Sequence, residues 1–126
     1  MFRDDAQRLR VARALLERVD LAHYFNEYGP TDFALSQLAT APLSSGELTL
    51  LRAAFDVWNG HGQLVFGRLM ALDAPSLRAI GSLLVALGTS SDAIDAWLAT
   101  EEARAKRSPE EKLAADIAEL GGGSCP

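Results

Sequence analysis

Apolar residues return at steps of three and four in one segment of this chain after another. Leu48, Leu51, Phe55 and Trp58 are spaced three, four and three. Leu9, Ala12, Leu16 and Val19 show a similar rhythm, and so do Leu77, Ile80, Leu84 and Leu87. An α-helix turns once in 3.6 residues, so each series occupies one helical face. Helices with apolar faces bury them against one another, which defines an all-α domain. The expectation is a single domain over residues 1–120, an irregular or orthogonal bundle of six to seven short-to-medium helices. Residues 121–126, GGGSCP, read as a flexible glycine-rich tail outside the fold.

Punctuation along the chain supports that division. Asp4 and Asp5 suit a helix N-terminus, and the first pattern is expected to run to about residue 28, where Gly29-Pro30 stops it. Thr31 or Asp32 caps a short helix carrying Phe33, Leu35 and Leu38. Ser44 and Glu47 have the spacing of a capping box, and Asn59-Gly60 closes the helix they open. Residues 63–72 fit a helix through Val65, Leu69 and Leu72. A short strand is the alternative there, because Gly67 weakens the helix and the run is brief. Asp73 and Pro75 start the next helix, and Gly88 ends it. Ser90, Ser91 or Asp92 caps another, and Ser108-Pro109-Glu110-Glu111 begins a last one with Leu113, Ile117 and Leu120 on its face.

Charge and length bound the function. The 126 residues carry 12 basic and 17 acidic side chains, a net charge of −5. That balance disfavours a non-specific nucleic-acid binder, which needs a cationic footprint, and a protein drawn to anionic membranes. One cysteine, Cys125, excludes an internal disulfide and any cysteine-rich metal cluster. No apolar run approaches the length of a membrane crossing, and MFRDDAQRLR lacks the apolar core of a signal peptide. The reading is cytoplasmic. Ten arginines against two lysines, with abundant alanine, hint at a GC-rich bacterial genome.

Candidate sites are few. His61 stands between Gly60 and Gly62 in the segment FDVWNGHGQLVFGRL. Flanking glycines imply mobility, so an exposed turn is favoured over a general base, which must be held in place. Asp20, His23 and Glu27 lie at i, i+3 and i+7, on one face if the first helix runs that far. Asp-x-x-His has the spacing of a di-iron half-site. The second half is missing, so these three are only weak metal candidates, and a hydrogen-bonded helix-end histidine is the preferred reading. Asp92 and Asp95 read as dipole-stabilising acids at a helix start. They also argue against a DNA-reading helix-turn-helix over residues 75–99, whose second helix would face phosphates with acids. Gly67 and Gly81 interrupt helical patterns, and close approach of a neighbouring helix, or of Trp58 or Trp97, is the expected reason.

No catalytic residue, metal or cofactor is expected. The leading expectation is a small, non-enzymatic interaction or regulatory domain that binds a protein partner or itself. Its positive feature is the helix at about 76–87, apolar almost all round, with Leu77, Ile80, Leu84 and Leu87 as interface candidates. The alternative is a nucleic-acid-associated regulator whose basic surface forms from Arg3, Arg10, Arg13, Arg104, Lys106 and Arg107. A third is a metal protein or enzyme using His23 or His61.

Overall fold

Asp4 opens the first helix: its carboxylate accepts from the Gln7 N–H at 2.8 Å. The computed structural model describes residues 1–40 and 43–106, and the helix, α1, spans Asp5–Glu17. It stops eleven residues short of the expected end. Asp20 adopts a left-handed conformation at φ 60°. The Asp20 N–H donates to Glu17 O at 3.3 Å, and the Leu21 N–H reaches back to Leu16 O at 2.9 Å. This is Schellman-type closure, with Asp in the place glycine usually takes. Leu16 and Leu21 join the same buried cluster, which seals the turn.

The chain beyond is not helix. A single 3₁₀ turn, Ala22–Tyr24, leads into two-residue strands β1 (Phe25–Asn26) and β2 (Gly29–Pro30). They pair antiparallel, Phe25 opposite Pro30 and Asn26 opposite Gly29. The Asn26 side chain accepts from Tyr28 N–H at 2.8 Å across the tip. Gly29 is required twice over: its φ is +119°, and a Cβ there would lie 3.0 Å from the Trp58 ring.

The other elements follow the sequence signals closely. α2 covers Asp32–Thr40, with Thr31 Oγ1 accepting from Ala34 N–H. α3 covers Ser45–Asn59 behind a complete Ser44–Glu47 capping box and ends on left-handed Gly60. Residues 63–65 are not helical, and Phe66–Ala71 forms a 3₁₀ helix in place of an α-helix or strand. α4 covers Ala74–Leu87 behind Asp73, and α5 covers Ser91–Ala105 behind Ser90. The expected helix after Ser108, the tail 121–126 and Cys125 lie outside the described residues. The described fold is all-α apart from the small hairpin.

α1 and α3 form the centre because each buries two adjacent faces. Val11 and Leu15 of α1, with Leu50 and Ala53 of α3, meet Ile80, Leu83 and Ala86 of α4 and Ile94, Trp97 and Leu98 of α5. One step round the same helices, Ala12, Leu16, Leu51, Ala54 and Phe55 meet Tyr24, Phe25 and Ala34. Consecutive helical residues point about 100° apart, so one helix serves two clusters. The Trp97 indole also donates to Ala79 O at 2.9 Å, tying α5 to α4 in the interior.

Polar groups fix how α5 lies on α1. Arg3 Nη2 donates to Asp92 at 3.0 Å and to Asp95 at 2.8 Å. Buried Gln7 donates to Asp95 Oδ1 and to Ser91 O. Arg10 Nε meets Glu102 at 3.2 Å. Furthest along, Arg18 grips Glu101 with Nε and Nη2, at 2.8–3.0 Å. Its side chain is 5% exposed and that of Glu101 6%. Arg18 is therefore interior, where arginine is seldom found without a partner. Removing one member of such a pair leaves a buried, unpaired charge. Glu101→Ala is expected to lower stability by about 3–5 kcal/mol in denaturant unfolding, with much of that recovered in Arg18→Met/Glu101→Met. A loss within about 1 kcal/mol, the range of exposed pairs, would contradict this assignment.

Acid should loosen the same clasp. The Asp95 carboxyl is held below its ordinary value by its hydrogen bonds from Arg3 and then Gln7. Glu47 is held low by the Ser44 backbone N–H. A carboxyl depressed in the fold stabilises above its unfolded pKa, and the contribution fades as pH falls through the folded value. Thermal stability is expected to be flat near neutrality and to decline below about pH 4. Asp95→Asn should flatten that decline.

Candidate functional site

The His61 turn is hydrogen-bonded to α3, with Gly60 in the left-handed conformation and Gly62 packed against the helix backbone. Asp56, on the last turns of α3, accepts from Gly62 N–H at 2.8 Å and from Leu64 N–H at 3.0 Å with its two oxygens. Arg52 Nη1 donates to Gly62 O at 3.1 Å, and the Asn59 side chain accepts from His61 N–H. Gly62 is buried against α3, and a Cβ there would lie 1.9 Å from Arg52 O. The His61 side chain itself is exposed. The backbone of the loop is held by Asp56 and Arg52.

Asp20, His23 and Glu27 do not share a helical face, because α1 has ended before them. Asp20 is the left-handed closing residue, His23 lies in the 3₁₀ turn and Glu27 in the hairpin tip. All three are exposed. The His23 ring stands edge-on to Tyr24 at 4.9 Å. Among the described residues, no group of three His, Cys, Asp or Glu side chains is placed to hold a metal ion. The spacing argument fails on its premise of one continuous helix.

The four interface candidates on α4 separate. Ile80 is buried, Leu77 and Leu87 pack partly buried against the core, and Leu84 is 60% exposed. The buried face is Ser76, Ala79, Ile80, Leu83 and Ala86. The opposite face presents Gly81, Leu84 and Val85, the last 70% exposed. Nothing among the described residues lies within 4 Å of a Cβ built at Gly81 or Gly67. The expected close approach of an aromatic ring occurs instead at Gly29, on Trp58. Just before α4, Val65, Phe66 and Met70 are exposed as well.

The basic residues divide likewise. Arg3 and Arg10 are engaged by the acids of α5, so Asp92 and Asp95 hold the segment leading into α1, and Asp95 also meets Gln7 on it. Arg107 lies outside the described residues. Arg104 stands with Arg18 and Arg78 around a groove of about 320 Å³ between α4 and α5, also lined by Trp97, Ser82 and Glu101. No local spacing signals that grouping, since the three arginines come from the end of α1, α4 and α5. No helix of the described residues is long and apolar enough to cross a membrane.

No protein-family model, curated protein or solved structure gives a significant match to this chain.

One loop offers a paired test. Gly62→Ala is expected to cost roughly 1–3 kcal/mol, because the new methyl group overlaps the α3 backbone. His61→Ala should stay within about 0.5 kcal/mol, as exposed substitutions do. Equal effects in thermal unfolding would contradict the pinned geometry.

Proposed function

We propose that this chain is a small, non-enzymatic interaction domain that self-associates through the outer face of α4. The observation that carries the reading is the exposure of Leu84 and Val85 on a helix whose inner face is already used by the core. Gly81 lies beside them. A helix-interior glycine is about 0.8–1 kcal/mol less favourable than alanine, and the described residues supply no contact that requires it here. A second helix crossing at Gly81 gains close backbone approach and covers both side chains.

The face also suits a copy of itself. Arg78 is the one charged residue of α4. A two-fold interface places the same patch on both sides. With two α4 helices antiparallel about Gly81, each Arg78 sits three residues from the crossing, so the two are separated by about 9 Å along the axis at 1.5 Å per residue. Leu84 and Val85 of each copy then lie over the turn holding Arg78 of the other, and the arginine stems are themselves apolar.

Sedimentation velocity on the purified chain should show a concentration-dependent dimer. Leu84→Asp should give a folded monomer with stability within about 0.5 kcal/mol, whereas Ile80→Asp should unfold the protein. A strict monomer at every concentration, with Leu84→Asp indistinguishable from the parent, would contradict the proposal.

A further inference from the structure

Leu84 and Val85 do not make a dimer interface by themselves. A stable, specific interface buries about 800 Å² on each partner, and even an aromatic side chain covers only about 150–250 Å². Two aliphatic groups, 60% and 70% exposed, supply well under half of that area. Further apolar surface has to adjoin them, and the chain offers it at both ends of α4.

At the C-terminal end stands the segment that leads into α1. Met1 N donates at 2.8 Å to Leu87 O, in the last residue of α4. Phe2 packs partly buried against the core, with the Arg8 guanidinium 5.3 Å from its ring centre. Arg3 N–H donates to Gln7 Oε1 at 2.6 Å, and its guanidinium bridges Asp92 and Asp95 on the first turns of α5. Residues 1–3 are thus a strap fastened across the corner between α4 and α5. The Met1 side chain is left 81% exposed, at the end of the helix that carries Leu84 and Val85. At the N-terminal end of α4, Met70, Ala71 and Ala74 are exposed.

Two-fold symmetry brings these ends together. With two α4 helices antiparallel about Gly81, a residue a given number of positions after the crossing lies against one the same number before it. Leu87 is six residues past Gly81, about 9 Å along the axis. The position it faces in a second copy is Pro75, in the first turn of α4.

We propose, on the reading that α4 is the dimer contact, that the strap completes it: Met1 of each copy packs on Met70, Ala71 and Ala74 of the other. Flexible thioether side chains suit such a contact, since they adapt to irregular apolar surfaces. Arg3 is the positioning residue. It acts within its own chain, and its pairs with Asp92 and Asp95 keep Met1 at the end of α4. Arg3 and Asp92 are 45% and 93% exposed, so salt screens their attraction and the dimer inherits that sensitivity.

Sedimentation equilibrium on the full chain tests this. Arg3→Gln and Arg10→Gln each remove an exposed pair between an arginine and a carboxylate of α5, but only Arg3 fastens the strap. Arg3→Gln is expected to raise the dimer Kd about tenfold, and Met70→Ser to do the same, with Arg10→Gln unchanged. Circular dichroism of all three should match the parent. Raising salt from about 0.01 M to about 1 M, which shortens the screening length from about 30 Å to about 3 Å, should weaken the parent dimer more than the Arg3→Gln dimer. No effect of Arg3→Gln, or equal effects of Arg3→Gln and Arg10→Gln, overturns the role of the strap. An unchanged Met70→Ser dimer overturns the surface assigned to Met1. In either case dissociation by Leu84→Asp still upholds the α4 contact, whereas a parent chain that is monomeric throughout overturns both.

Discussion

The bidentate pair between Arg18 and Glu101 joins residues 83 apart in sequence with both side chains out of water. Cohesion alone would not require it, since apolar residues of the same volume can stabilise as well. The pair adds direction. A planar guanidinium donates to a carboxylate in few orientations, so the pair restricts how α5 lies against the end of α1. Two exposed ion pairs join the same stretches of chain. Arg3 and Arg10 are seven residues apart, and so are their partners Asp95 and Glu102. Asp95 meets Gln7 in the first turn of α1, and Glu101 meets Arg18 just past its end, so α1 and α5 run in the same general direction. Everything between them, the hairpin, α2, α3 and α4, is the excursion that returns the chain to the same end of the bundle.

Local chemistry was legible in the sequence where it is decided within a few residues. The Ser44–Glu47 box, Asp73 with Pro75, and the Gly60 stop were read in place, because each is a backbone donor or a φ angle met by a side chain three or four positions away. α1 ends well before Gly29-Pro30 because Asp20 takes a left-handed turn that its sequence does not announce, while the apolar Val19, Leu21 and Ala22 prolong the helical rhythm past it. On α4 the three-four spacing marks Leu77, Ile80, Leu84 and Leu87, whereas the core takes Ala79, Ile80, Leu83 and Ala86. A helix apolar on nearly every side has no polar face to set the phase, so a shift of one position goes unseen. The ladder on α1 and the arginine groove are assembled across helices, and no local spacing encodes them.

The same helix thus carries three surfaces with different chemistry. Its inner face completes the core, its outer face exposes Leu84 and Val85, and its flank contributes Arg78, Ser82 and Ala79 to the groove shared with α5. The histidines, the most conspicuous residues in the sequence, are peripheral to this arrangement: one sits in an exposed 3₁₀ turn and the other on a loop held by Asp56 and Arg52.

Native-state hydrogen exchange tests the α1–α5 clasp most directly. If the ladder and the buried pair bind the two helices into one unit, core amides of α1 and α5 should open together, with similar protection and the same denaturant dependence. Glu101→Ala should lower both by the same amount. Exchange in α5 that is much faster than in α1, and unaffected when Arg18 or Glu101 is replaced, would contradict the account.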